Sequence, residues 1–545
     1  MEDVVVEVYQ GEAEVASKAI SSPITAAEAK DALRDINAAW VGMLTEPDGS
    51  TVLAGRRNLT PGAIYHLHLQ EQPGRQKLQG EPVELPPDDP RKLFWRNLAD
   101  AKIEDNPGGF QVLRLQCGFL DPGNKISSIL LRPCYKDLWN LVSKGSGKDI
   151  ITGTPGVGKS IWQYYAMYKL AKLGATVVVD FKGMTDCLCF SKDSVREGPL
   201  TAFKKELLQE DTWYLVDTRE PEKAAAKTIL TSSPKREIYK DFAKAGASTL
   251  YMPVWSWLEL DAGRHLHGLR KDEILPLYEK WGGSARYVLD LARNPSRQRD
   301  LASAIAKADL DVIFKAVGEI DSADEVSHRV LHINVAPNYL DTDMMFASEF
   351  IGRKVGEKFC KGTTLPLQRF IAITAGWKEF NDVCAKLFEP LAHRILRGGG
   401  VFDVWDLEMG TQTTLKLPPC TSFYTFHDLK DVADQEAGTY CIPSRSDQAA
   451  IDSIQQPQYL FRMTLADEHS INATGLSHAL EQLRKDPKTD AELFFAVPPD
   501  QYPRWRKKQE YTGRTDLKVL RAVKQRVIKV PLKMMVHSLQ NFRAV

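Results

Sequence analysis

The octet Gly153-Thr154-Pro155-Gly156-Val157-Gly158-Lys159-Ser160 constrains this chain more than any other stretch. It fits G-x-x-x-x-G-K-[ST] at every fixed position. Its flanks supply the context the pattern needs. Lys148 to Thr152 reads as a strand entering the loop, and Ile161 to Leu173 as a helix leaving it, closed by Gly174. Glycines let backbone N–H groups turn inward around phosphate oxygens. The helix N-terminus adds partial positive charge. Lys159 is then the cation for the β- and γ-phosphates, and Ser160 the hydroxyl for Mg²⁺. The expected ligand is ATP or GTP with Mg²⁺. The competing reading is a glycine-rich turn ahead of a helix.

The residues that follow extend this site. Ala175 to Phe181 reads as a buried parallel strand. Trp213 to Asp217 is an apolar run ending in a carboxylate, 58 residues after Lys159. Asp217 is therefore expected to hold Mg²⁺ opposite Ser160. The next residue is Thr218, where many motor-type ATPases carry a glutamate, and the nearest acid is Glu220. That leaves nucleotide binding intact while weakening the case for fast hydrolysis. Thr228 to Leu230 reads as a strand whose end brings Ser232 towards the γ-phosphate, or merely forms a Ser-Pro turn. Ser248 to Val254 reads as a fourth strand. Helices are expected to dominate from Asp272 to about Trp377, broken at Gly282-Gly283-Ser284-Ala285-Arg286. Arg286 is either a lid guanidinium for phosphate or a solvated residue at a helix start.

At 545 residues the chain needs several domains. Residues 1–71 read as a small α+β module: a strand at Val4 to Val8, a capping box at Thr25 to Glu28 opening a helix to about Val41, and a strand at Ala63 to Leu69. That order resembles a ubiquitin-like fold. Residues 72–92 carry five prolines and read as a linker. The nucleotide domain is expected over 93–320, a helical connector over 321–370, and a further α/β domain over 371–545. Net charge is zero, but residues 501–545 hold 12 Lys/Arg against 2 Asp/Glu. With Trp505 and Tyr511 interleaved, that basic end suits DNA or another phosphodiester, or is a solvated basic face. The N-terminus shows no conventional signal peptide and no run long enough to span a membrane. Eight scattered cysteines without C-x-x-C spacing read as reduced thiols in an intracellular setting.

The order of LLRPCYKDL (130–138), GTPGVGKS (153–160), ILTSSP (229–234), YMPVWSWLEL (251–260), GGSARYVL (282–289) and LFRMT…H (460–469) resembles the Crinkler and retrotransposon-hot-spot family. The resemblance covers about residues 93–500. It implies a multidomain α/β protein: a ubiquitin-like α+β module at the N-terminus, a P-loop NTPase with parallel sheet and helical lid, and a restriction-endonuclease-like α/β domain. No LFLAK-type motif is visible in residues 1–71. The resemblance further implies an effector delivered into host cells and often their nuclei, with host proteins as partners. Nucleases of that fold set an Asp and an E-x-K around Mg²⁺. Asp452 fits the first position, but the E-x-K positions hold Arg462-Met463-Thr464. Glu389 is the candidate second carboxylate, and His469 the candidate that assists water activation.

Two functions follow. One is an effector that couples ATP or GTP binding to DNA binding or cleavage, as an NTPase and Mg²⁺-dependent endonuclease with a degenerate site. The other is a nucleotide-gated interaction scaffold without nuclease chemistry, monomeric or oligomeric. A small-molecule kinase built on the same loop is a third reading, opposed by the appended basic domain.

Overall fold

A computed structural model describes residues 4–10, 13–20, 42–45, 64–69, 81–115, 118–120, 127–318, 327–361, 364–375, 377–444, 450–483, 490–513, 520 and 523–532. The chain divides into two compact units, Met1–Gln79 and Gly80–Val545. It is a mixed α/β protein with several sheets. Among the described residues no helix is long and apolar enough to cross a membrane.

The N-terminal unit holds a four-stranded sheet in the order Ala13–Ile20, Val4–Gln10, Ile64–Leu69, Gly42–Thr45. The central pair is parallel and both flanking pairs are antiparallel. The outer strands Ala13–Ile20 and Gly42–Thr45 go beyond what the sequence pattern predicts. The helix expected at 25–41 lies outside the described residues.

The second unit begins inside the expected linker. Val83–Glu84 pairs antiparallel with Val195–Gly198 at one edge of a sheet, and Leu85 is buried. The helix Pro90–Asp100 then starts with Pro at its first turn and Asp89 as N-cap, whose carboxylate accepts from the Arg91 N–H. The prolines at 86–90 thus serve a strand end and a helix start.

The sheet has eight strands, in the order Ser248–Tyr251, Lys148–Thr152, Lys227–Thr231, Trp213–Asp217, Val177–Phe181, Cys187–Phe190, Val195–Gly198, Val83–Glu84. The first five are mutually parallel and the last three run on antiparallel. The helix Lys159–Lys172 packs one face through Trp162, Ala166, Met167 and Leu170, joined by Phe94 and Phe190. Alternate residues Val178, Tyr214, Val216 and Leu230 face the opposite core.

Helices dominate from Asp272 to about Trp377, but the expected helical connector at 321–370 is not helical throughout. An antiparallel hairpin, Leu331–Val335 with Thr342–Phe346, interrupts it. Its apolar core side chains Leu331, Ile333, Met344 and Phe346 alternate, which is the strand period.

A second eight-stranded sheet follows the helix Asn381–Arg397. Its order is Thr411–Leu417, Gly400–Asp406, Lys524–Lys529, Glu492–Val497, Tyr459–Met463, Ser453–Gln455, Thr439–Pro443, Ser422–Phe426. Phe461, Phe494 and Ile528 face Leu387 and Leu391 of that helix. Leu460, Phe495 and Val527 face the helix Ala473–Glu481 instead. The first of these cores is continuous with Trp281, the hairpin and the helix Glu349–Cys360. One hydrophobic core therefore runs from the segment beside the glycine loop to the C-terminal sheet.

Candidate functional site

Between Thr152 and Lys159 the chain passes from strand to helix, and three glycines adopt positive φ: Gly153 at 140°, Gly156 at 84° and Gly158 at 96°. Two of them also lack room for a side chain. A Cβ on Gly153 would lie 2.5 Å from the Met252 carbonyl oxygen, and one on Gly156 2.9 Å from the Arg286 Cβ. The loop is held from outside as well. The Thr154 hydroxyl accepts from the Ile333 N–H at 2.9 Å, so the hairpin is tied to the loop. The Gly156 carbonyl accepts from the Arg286 N–H at 3.2 Å. The Lys159 ammonium turns back onto its own loop, donating to the Gly153 and Thr154 carbonyls at 2.8 and 3.1 Å.

Arg286 is thus placed against the loop. It opens a five-residue π-helical turn, Arg286–Asp290. Burial, and secondarily the Arg286 guanidinium, push the Lys159 ammonium down to about 7, while Asp217 opposes the shift. Pro155, Ser284 and Arg286 line a small cavity with Trp281, Tyr287 and His332. Trp281 and Tyr287 stack with ring centres 3.8 Å apart. His332 is pushed down to about 3 by burial and by His328, and is neutral near pH 7. Positive charge at this end of the site comes from arginine and Lys159.

The carboxylate expected to face the loop is present and organised. Asp217 ends its strand beside Thr231 of the neighbouring strand. Its Oδ1 accepts from the Thr231 hydroxyl at 2.7 Å and the Thr218 hydroxyl at 3.1 Å. Thr218 has φ of 59°, an outlying conformation for a β-branched residue. The position after the carboxylate thus spends its hydroxyl on Asp217, and a threonine there cannot serve as a general base near neutral pH. Glu220 is exposed, and among the described residues no hydrogen bond or ion pair ties it to the site. Ser232 follows the strand next to the loop strand. Its N–H donates to the Ile151 carbonyl at 3.1 Å, and its hydroxyl is buried with no hydrogen-bond partner among the described residues. A buried, unsatisfied hydroxyl beside a glycine loop is an acceptable ligand donor. Ser160 lies exposed in the first turn of the helix.

The C-terminal residues singled out by resemblance also come together, but as an ion-pair network. Asp452 accepts from Arg462 Nη1 at 2.8 Å and from the Met463 N–H at 2.7 Å. Arg462 Nε donates to His469 Nε2 at 3.1 Å. Glu389 lies 3.7 Å from His393 Nε2, and Nδ1 of His393 meets the Tyr440 hydroxyl at 3.0 Å. Burial raises Asp452 to about 6, with Arg462 opposing and Glu389 adding to the rise. Glu389 is lowered instead: burial raises it, but hydrogen bonding and charge from His393 win. Both Asp452 oxygens are thus engaged. Among the described residues no group of three His, Cys, Asp or Glu side chains is placed to hold a metal. Asp452, the candidate Mg²⁺ ligand, is paired with Arg462 in this structure. Asp452→Ala should cost about 2–3 kcal/mol in urea unfolding, because Arg462 loses its counter-ion. Adding Arg462→Met should recover part of that loss; equal stability of the single and double variants would refute the pairing account.

The basic end is less free than its composition suggests. Lys508 pairs with Glu408, Lys524 with Asp490, Lys529 with Asp403, and Arg526 with Asp406 and Glu492. Trp505 is buried, its indole donating to the Ala466 carbonyl, and the Tyr511 hydroxyl donates to the Leu520 carbonyl. Trp505 is therefore not presented as a stacking platform. Arg506 lies over the Trp405 ring, and Lys507 is exposed. Arg514, Lys518, Arg521 and Lys533 lie outside the described residues.

Sequence reasoning missed Arg132, Trp255 and Glu259, which meet behind the loop. Arg132 is buried and forks onto Glu259, with Nε to Oε1 at 2.9 Å. Their only signal in the sequence is membership of two family-like motifs, 130–138 and 251–260.

No protein-family model matches the chain. It is 26% identical over 408 residues to Crinkler effector protein 15 and, equally, to Crinkler effector protein 16, both of Phytophthora infestans. Each match covers 70% of this chain, and the chain spans about 62% of the length of these relatives. Such similarity to two effectors, extending well beyond one generic motif, supports membership of the Crinkler family.

Proposed function

We propose that this chain is an effector whose 153–160 loop binds ATP or GTP with Mg²⁺. The observation that carries the reading is the convergence of two cations, Lys159 and Arg286, on one glycine loop. Burial and, secondarily, repulsion from Arg286 depress Lys159; the charge of a polyphosphate would compensate both. Binding requires Lys159 to exchange the Gly153 and Thr154 carbonyls for phosphate oxygens. Ser160 and Asp217 fit Mg²⁺, since Asp217 is oriented by two threonine hydroxyls through one oxygen only. The metal would supply charge neutralisation for the phosphates. Arg286 would clamp the terminal phosphate, and Ser232 would donate to it.

The test is calorimetry of Mg·ATP and Mg·GTP in buffers of different ionisation enthalpy. A lysine near pKa 7 is mostly neutral at pH 8 and charged at pH 6. Phosphate favours the charged form, so binding at pH 8 should take up close to one proton, and at pH 6 very little. Affinity should fall towards tenfold per pH unit above about 7. No binding of either nucleotide would end the proposal; binding without proton uptake would remove Lys159 from it.

A second reading concerns the C-terminal sheet. The Asp452–Arg462 pair favours a nucleotide-gated interaction scaffold over a metal-dependent nuclease. DNA, held by exposed basic residues such as Lys507, or host proteins in the cytoplasm or nucleus, are the proposed partners. Plasmid incubated with the protein, Mg²⁺ and ATP should remain uncut; Mg²⁺-dependent cleavage lost in Asp452→Ala would restore the nuclease reading.

A further inference from the structure

The Val157 carbonyl receives two side-chain donors from distant segments. Arg132 Nη1 reaches it at 3.3 Å and the Trp255 indole N–H at 2.8 Å. The Arg132 guanidinium lies 4.8 Å over the Trp255 ring, so the two donors brace one another. Arg132 is fixed on its other sides by Glu259 and by the Pro253 and Val254 carbonyls, at 3.0 and 2.9 Å. Glu259 is fixed in turn: its carboxylate accepts from the Ser256 N–H, and its own N–H donates to the Ser256 hydroxyl. Arg132 is 2% exposed and its charge is answered by Glu259. It is therefore not a cation waiting for phosphate.

What these donors control is a peptide plane. In a trans peptide the C=O and the following N–H point in opposite directions. Drawing the Val157 carbonyl towards Arg132 and Trp255 turns the Gly158 N–H away from them. Gly158, at φ of 96°, has no Cβ to resist other orientations of that peptide. Selection must come from hydrogen bonds, and those from a charged donor are the stronger kind. We infer that Arg132 and Trp255 are positioning residues that hold the 157–158 peptide so that the Gly158 N–H faces a bound phosphate. This rests on the nucleotide reading of the loop. It also gives one physical reason for the LLRPC and YMPVW segments to accompany a glycine loop that neither adjoins.

The discriminating variant is Trp255→Phe, which removes one donor while keeping a ring under Arg132. Mg·ATP affinity should fall about tenfold, with the unfolding temperature nearly unchanged and proton uptake at pH 8 retained. Arg132→Lys should lose about a hundredfold, since one ammonium cannot replace a fork that reaches Val157, Glu259 and two further carbonyls. A merely structural role predicts the opposite split: a lower unfolding temperature with unchanged affinity of the folded fraction, and that result overturns the inference. Wild type that fails to bind nucleotide would instead defeat the underlying reading. Hydrogen exchange of the nucleotide-free protein decides in that case too. Exchange of a peptide spanning 153–160 should quicken in Trp255→Phe; unchanged exchange shows that the donor does not hold the loop.

Discussion

Lys159→Met is expected to lower the affinity for Mg·ATP and Mg·GTP by at least a hundredfold while leaving the protein folded. The ammonium is the loop's own cation, and charge-assisted bonds to phosphate contribute most where the group is partly withdrawn from water. Methionine keeps the apolar stem and removes only the charge. The stability side has a definite sign. The folded pKa of about 7 lies below the ordinary 10.5, so the unfolded chain holds the proton more tightly between those values. Charged Lys159 therefore opposes folding below pH 7, and the penalty fades as pH rises towards 10.5. The variant should unfold no earlier than wild type at pH 6. Titration calorimetry and a thermal melt check both halves. Unchanged affinity would mean that the loop is a structural turn.

Gly282→Ala should be the most destabilising of the single-methyl additions around the site, by more than about 4 kcal/mol. Gly282 has φ of 59° and ψ of −144°, and a Cβ there would lie 1.7 Å from the Ala347 carbonyl oxygen. That atom is backbone, held by its place beside the hairpin, and cannot rotate aside. Gly246 is the control. It has φ of 88° but nothing within 4 Å of its Cβ position, so Gly246→Ala should show only left-handed strain, about 1–2 kcal/mol. Urea titrations of the two variants separate collision from strain. Similar losses in both would show that the 282–283 segment yields.

The parts of this fold legible in the sequence are those with a local period or a local motif. The five parallel strands announce themselves as apolar runs, and the glycine loop by its fixed spacing. Cys187–Phe190 and Val195–Gly198 are each only four residues long, too short for a period to stand out. Val83–Glu84 is hidden because two residues among prolines carry no strand signal. The hairpin at 331–346 is masked because its apolar residues sit within a region of helical pattern. At the site, Arg286 is readable because the GGSAR break places it. Arg132 and Glu259 are 127 residues apart, and no pattern in one sequence couples them. Glu220 is a different case: it is exposed, and proximity in sequence to Asp217 says nothing about which way a surface turn carries a side chain. The basic end misleads through counting, since Arg526 and Lys529 find their acids on other strands and Lys524 finds Asp490 just ahead of one.

The continuous core that joins Trp281, the 331–346 hairpin and the inner face of the C-terminal sheet limits how this protein can be taken apart. A cut near residue 370 would part the helix Asn381–Arg397, which carries the inner face of the C-terminal sheet, from the helix Glu349–Cys360 it packs against, and would uncover apolar surface on both fragments. The two halves are not interchangeable modules, and the division of labour between them has to be sought by point substitution within the intact chain.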